Sequence, residues 1–385
     1  MSAPPVRLRG IAWDHSRGFT PMVATAQRYA ELHPGVEIHW EKRSLQAFAD
    51  CPIEKLAESF DLLVIDHPFA GFASRHPVLV DLSERVPAAE LAGLAANSVG
   101  ASHQSYRTGT RQWALAIDAA TPVSGWREDL LNLHRVQPPA DWPELLELAR
   151  HGLVAVAGIP VDCLMNFFMF CHAQGEEPCT GAERVVSDEA GLAALDMQSE
   201  LMRLLSPDTW DSNPIRIWER LAYGRERPAY CPFAYGYSNY ARAGYAPAVL
   251  RFGGLPSFRH RRLRPTLGGT GIAVSARCDH MDHAIGYARL IASPGWQRTL
   301  YFESGGQPAH RSAWTDPEVN RRANFFFRDT LATHDDSWVR PRYCGYLEFQ
   351  DQGGGLVRDF LLGQASAKAT LEALNTLYRS SLAQA

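Results

Sequence analysis

The sequence predicts an α/β protein built on a largely parallel sheet with covering helices, and three observations predict it. Strand and helix signals alternate through the first part of the chain, and the apolar strands there end in polar residues. The 385 residues, 46% hydrophobic and 21% charged, suffice for two or three ordinary globular domains.

Val6 to Trp13 reads as a strand feeding the loop Asp14 to Phe19. Thr20 is the expected N-cap of the next helix, because Pro21 then takes the first helical position, where a missing N–H is harmless. Met22, Ala26, Tyr29 and Ala30 follow at helical spacing, and His33-Pro34-Gly35 ends the helix. Val36 to Trp40 alternates apolar and polar residues, the pattern of a half-buried strand. Leu62 to Ile65 is a short, wholly apolar strand that runs into Asp66-His67-Pro68. Trp113 to Ile117 is another strand, closed by Asp118 to Thr121.

Farther on, Asp141-Trp142-Pro143-Glu144 fits a capping box, with Asp141 as cap and Glu144 reaching back. The middle of the chain is mostly helical, through Asp188 to Leu205 and a helix opened by Asn213-Pro214. Tyr230 to Tyr245 is rich in aromatic residues and holds too many Gly and Pro for one helix. Gly268 to Gly271 reads as a flexible crossover before the strand Ile272 to Ser275. Helices are expected from Asp282 to Ala292, after Ser293-Pro294-Gly295, and from Ala365 to Leu382.

Composition narrows the function classes. A net charge of −4 gives no global reason to expect nucleic acid or an anionic membrane as partner. No apolar run is long enough to span a bilayer, and none follows Arg7 and Arg9 as a secretory signal requires. As written the chain is expected in the cytoplasm, or in the periplasm if its true start lies upstream. The seven cysteines are scattered without a C-x-x-C pair, which suits buried thiols in a reducing compartment. Neither a cofactor motif nor metal-ligand spacing is present, and Gly268 to Gly271 lacks the lysine of a phosphate-binding loop. The densest basic run, Arg259 to Arg264, reads as a solvated loop or an anion-docking site.

Four stretches in order resemble the solute-binding proteins of ABC importers, the family that includes the maltodextrin-binding proteins. They are Phe19-Thr20-Pro21 through His33-Pro34-Gly35-Val36-Glu37-Ile38, and Phe60 to Asp66. Next comes Gln112 to Asp118 with Trp126 to Leu130, Pro138-Pro139 and Asp141 to Leu146. The last is Gly268 to Ser275 with Ala292-Ser293-Pro294 and Gly305 to Ala309. The resemblance implies a periplasmic-binding-protein fold of two α/β lobes, each a mostly parallel sheet flanked by helices. Lobe 1 would hold 1–118 and 271–312, and lobe 2 would hold 122–268 and 316–385. Hinge crossovers would fall near 119–121, 268–271 and 310–316. Ala116-Ile117 stands where the family often has Pro-Tyr, so the sugar contacts of better-known members are not carried over.

The function this implies is a receptor, not an enzyme: a protein that closes on a small polar organic ligand, a carbohydrate first and an organic acid second. An ABC permease would be its partner, and the protein would be a monomer. Ligands in such sheets sit at the carboxyl ends of strands. Trp13, Asp14, His15, Asp66, His67 and Asp118 would therefore supply one wall, and Tyr235, Gly236 and Tyr237 a second, with Thr121 a further candidate at the crossover that follows Asp118. Gly269 and Thr270 would lie at the hinge. Two other classes fit the same residues. One is a metal-assisted hydrolase or lyase that uses the strand-end acids and imidazoles, although no motif fixes a nucleophile. The other is a scaffold that senses a metabolite.

Overall fold

The computed structural model describes residues 5–44 and 52–383, so Cys51 lies outside the described residues. In chain order the elements that position the site begin with β1 (Val6–Trp13), α1 (Thr20–Leu32), β2 (Val36–Arg43), β3 (Leu62–Ile65) and β4 (Leu115–Ala120). Then come β5 (Pro122–Trp126), α2 (Trp142–Arg150), α3 (Pro160–Ala173), α4 (Asp188–Met202), α5 (Pro214–Tyr223), β6 (Tyr230–Tyr235) and β7 (Arg251–Gly253). The last are β8 (Gly268–Val274), α6 (Met281–Ala292), α7 (Tyr346–Leu361) and α8 (Ala367–Leu382). The chain divides into two compact units. Unit 1 is Met1–Ala120, Gly268–Val319 and Arg342–Cys344; unit 2 is Thr121–Leu267, Asn320–Pro341 and Gly345–Ala385.

Unit 1 is organised by a five-stranded sheet in the order β2-β1-β3-β8-β4. β1 runs parallel to β2 and β3, whereas β8 is antiparallel to both β3 and β4. β4 therefore points the same way as β1 and β3, and the start of β8 joins their carboxyl ends on one edge of the sheet. β3 is buried along its whole length, which is why all four of its residues are apolar. Leu8, Ala12, Leu62, Val64, Leu115, Ile117, Ile272 and Val274 from the strands pack with Met22, Ala26 and Tyr29 of α1 and Ile285, Tyr287 and Ile291 of α6.

Three local expectations change here. α1 begins at Thr20 itself with Phe19 in the cap position, and no side chain caps it. Pro at the second position supplies the helical φ without a hydroxyl. β4 does not stop at Asp118 but runs on to Ala120. The glycines 268, 269 and 271 are not a loop; they form the first half of β8. Gly269 has φ +93°, and a Cβ there would stand 2.3 Å from the carbonyl oxygen of Asp118, so only glycine lets β8 pass so close to β4. The register also shifts between Thr270 and Gly271.

Unit 2 departs from the expected parallel sheet. Its larger sheet is three-stranded and antiparallel, β6-β5-β7. Helices dominate the unit, and α3 is buried on nearly every side: Leu164, Met165, Phe167, Phe168, Met169 and Phe170 are all covered. α3 packs on α4 and α7, and α7 packs on α8. The capping box of α2 forms as expected. Asp141 Oδ1 accepts the backbone N–H of Glu144 at 3.1 Å, and Glu144 Oε2 accepts that of Ala140 at 2.8 Å. Among the described residues no helix is long and apolar enough to cross a membrane.

Candidate functional site

The edge of unit 1 at the ends of β1, β3 and β4 gathers most of the predicted residues. β1 delivers Trp13, Asp14 and His15; β3 delivers Asp66 and His67; β4 delivers Asp118; and Gly269 and Thr270 open β8 beside it. Tyr106, buried, ties this edge together: its hydroxyl donates to the carbonyls of Ile65 at 3.2 Å and Gly269 at 3.4 Å.

The loop after β1 is tightly wound. The carbonyl of His15 accepts the N–H groups of Gly18 at 2.9 Å and Phe19 at 2.8 Å. Trp13 is a buried member of the unit's core, and its indole lies against Gly18. A Cβ at Gly18 would stand 2.3 Å from that ring, so glycine is required for the loop to close over the tryptophan. Asp14 is exposed and accepts from Lys42 Nζ at 2.8 Å. His15 is half-buried, and its Nδ1 accepts the backbone N–H of Arg17 at 2.9 Å. Burial, reinforced by the Arg17 guanidinium and opposed by Asp14, pushes the imidazole down to about 3. His15 is therefore neutral at physiological pH.

Arg17 is the residue that sequence reading missed. Its Nε donates to Asp118 Oδ2 at 2.8 Å and its Nη2 to Asp118 Oδ1, a two-pronged ion pair between residues 3% and 1% exposed. Burial pushes the Asp118 carboxyl up while the guanidinium pulls it down. A fork that engages both oxygens is the geometry of an ionised carboxylate. Asp118 is expected from the sequence to meet a ligand, and here both its oxygens accept from Arg17 and the carboxylate also accepts from the backbone of Gln307. A lone arginine in a polar loop, 101 residues from its partner, carries no local signal that could have revealed this.

At β3, Asp66 Oδ1 accepts the N–H of His67 at 2.8 Å and lies 3.2 Å from its Nδ1. Asp66 does not cap the following helix, whose cap position is Pro68 without a side-chain hydrogen bond. The imidazole of His67 is completely buried and meets Tyr106 edge-on, ring centres 6.4 Å apart. Thr270 sits opposite Asp118 in the sheet register. It is 5% exposed, and its hydroxyl has no hydrogen-bond partner among the described residues.

The candidates of unit 2 sit around the start of β5 and the end of β6. Thr121 is buried and donates to the carbonyl of Thr266 at 3.0 Å. The Tyr235 hydroxyl lies 2.9 Å from Thr266 Oγ1, and its carbonyl accepts from Trp218 Nε1 at 2.8 Å. The N–H of Gly236 donates to Thr121 at 3.1 Å, and its α-carbon faces Val123 and Phe326. Tyr237 is buried. The basic run becomes a short hairpin on which Arg259, His260, Arg261 and Arg262 are exposed, and Arg264 pairs with Glu177 at 3.0 Å. Among the described residues no cluster of three or more His, Cys, Asp or Glu could hold a metal ion.

No family model matches the chain, and no curated protein matches it. Solved structures do resemble it, over nearly its whole length. Maltose-bound MalE3 of T. maritima aligns with a TM-score of 0.83 at 17% identity, covering 97% of this chain and 99% of that one. An ABC transporter solute-binding protein of Agrobacterium radiobacter, in complex with ribitol, aligns with a TM-score of 0.83 at 18% identity, covering 99% and 100%. An ABC transporter solute-binding protein of Thermotoga lettingae, bound to α-D-tagatose, gives 0.80 at 15% identity, covering 97% and 100%. At these identities the likeness is one of fold, and the fold of this chain is that of the solute-binding proteins of ABC transporters.

Proposed function

We propose that the protein is a solute-binding receptor that takes a neutral, hydroxyl-rich ligand, a sugar or a polyol, at the strand-end edge of unit 1. The observation that carries the reading is the full-length likeness of fold to proteins holding maltose, ribitol and tagatose. Fold alone does not fix function, so the chemistry of the edge has to agree.

It does agree. Asp14 faces Lys42 and Asp118 faces Arg17, so these two acids are already compensated and do not draw a cationic ligand. Lys42 and Arg17 are equally engaged and do not draw an anion. What the edge offers instead is neutral hydrogen-bonding capacity, the buried Thr270 hydroxyl. A buried hydroxyl without a partner costs about 1–3 kcal/mol, which a ligand hydroxyl would recover. The reading is of a receptor and not an enzyme, since the imidazole beside Asp66 is wholly buried and the Asp118 carboxylate is held by arginine. In this reading the partner is a membrane permease of the ABC class, and the protein acts as a monomer.

Titration calorimetry with ribitol, tagatose and maltose tests the proposal. At least one is expected to bind, and Thr270→Val, equal in shape but without the hydroxyl, is expected to weaken it about tenfold. Failure of every neutral sugar and polyol to bind would overturn the reading. Unchanged affinity in the variant would remove Thr270 from the site.

A further inference from the structure

We infer that the arginine-rich hairpin of unit 2 is a docking surface for an acidic segment of a partner protein, a short run of carboxylates.

The basic run is built as a two-residue turn between two short strands, with Ser257 opposite Arg262 and Phe258 opposite Arg261. The turn residues Arg259 and His260 have φ of +47° and +64°. Asparagine and glycine make such a turn most readily, so the backbone does not account for an arginine and a histidine there. The hairpin has a fixed base. The N–H of Ser257 donates to the carbonyl of Ala140 at 2.9 Å, and Phe258 meets the buried Trp142 edge-on, ring centres 6.2 Å apart. The Arg259 guanidinium lies over the Phe258 ring, 5.0 Å from its centre. Arg261 lies along the turn at Gly175, where an added Cβ would stand 2.7 Å from its Nη1.

The charge of this surface is uncompensated. Arg259, His260, Arg261 and Arg262 are all exposed. Nearby, Glu177 is taken by Arg264 at 3.0 Å and Glu176 accepts from Ser187. Among the described residues no carboxylate pairs with Arg259, Arg261 or Arg262. The whole chain carries −4, so the patch runs against the sign of the molecule that bears it. Each guanidinium presents a planar fork that fits a carboxylate.

The size of the patch selects its occupant. Attachment to an anionic membrane calls for roughly four to eight basic residues, more than the arginines gathered here. The hairpin's one aromatic ring, Phe258, is already engaged by Trp142 and Arg259. Nucleic acid offers a continuous row of phosphates and calls for a longer basic track. A peptide segment with about three carboxylates matches the forks of Arg259, Arg261 and Arg262.

Fluorescence anisotropy of a labelled Glu/Ser peptide, with its Gln/Ser counterpart as control, tests this on the full chain and needs no bound solute. The acidic peptide is expected to bind and the neutral one not, although the protein as a whole is negative. Arg262→Gln should weaken binding about twofold to fivefold, and Arg259→Gln, Arg261→Gln and Arg262→Gln combined about tenfold or more. Raising salt from about 0.05 M to about 0.5 M should abolish it. Thermal unfolding checks that the combined variant folds; if it does not, Arg262→Glu supplies the measurement and should weaken binding more than Arg262→Gln.

No binding of the acidic peptide, equal binding of the two peptides, or binding untouched by the arginine substitutions overturns the inference. Arginine-dependent binding to phosphatidylserine vesicles that the acidic peptide does not displace would assign the surface to a membrane and overturn it. Displacement of the peptide by inorganic phosphate at equal concentration would make it a small-anion site, with the same consequence.

Discussion

Asp162 lies in the first turn of α3, 6% exposed, and its Oδ2 accepts no hydrogen bond among the described residues. Burial alone pushes this carboxyl up to about 7. The unfolded chain loses that proton near pH 3.9, so between about pH 4 and about pH 7 the native state holds more protons. Stability contributed by the protonated form is therefore present at low pH and lost as pH rises through about 7. Three pH units at about 1.4 kcal/mol each set an upper scale of about 4 kcal/mol. Asp162→Asn should remove this slope, so that the variant gains on the native protein as pH is raised from about 5 to about 8. Urea unfolding at the two pH values measures the gain, and an identical slope in both proteins would contradict the assignment. His15 works in the opposite sense, since its lowered affinity for a proton favours the fold above about pH 6.5. The comparison of variant with native protein cancels that contribution.

At the scale of elements, the loop that closes over Trp13 depends on one missing methyl group. Gly18→Ala places a carbon 2.3 Å from the indole, and either the ring or the loop has to move. The expected cost is about 1–3 kcal/mol of stability, with weaker sugar binding because the loop belongs to the same edge. Chemical denaturation and calorimetry check both; a change under about 0.5 kcal/mol would show that the loop relaxes freely. What the sequence made legible at this scale was local. The capping box of α2 and the Asn213 cap of α5 are decided within four residues, and both form. β3 was legible because its four apolar residues report burial on both faces. The glycines of β8 were not, because their requirement is set by β4, more than a hundred residues earlier in the chain. Arg17 and Asp118 were hidden for the same reason: an ion pair across 101 residues leaves no periodicity or spacing behind. Strand ends were thus readable as places, while the partners that meet there were decided by tertiary structure. The antiparallel sheet of unit 2 was equally invisible, since strand direction follows from pairing and not from composition.

For the molecule as a whole, the account joins a fold shared over nearly the full length with proteins that hold sugars and polyols to an edge where Asp14 and Asp118 are already paired with Lys42 and Arg17. A net charge of −4 spread over 385 residues adds no long-range pull toward charged solutes, so selection rests on the hydrogen bonds of the edge. A ligand that binds only the folded chain stabilises it by about 2.7 kcal/mol at a hundredfold excess over its Kd, a shift that does not depend on knowing where the ligand sits. The most direct measurement is a thermal-unfolding series of the full chain against neutral sugars, polyols, amino sugars, sugar acids and divalent metals, with each compound recovered afterwards. The account predicts a rise in Tm with one or more neutral sugars or polyols, recovered unchanged. A rise with charged compounds or metals alone, or consumption of the stabilising compound, would contradict it.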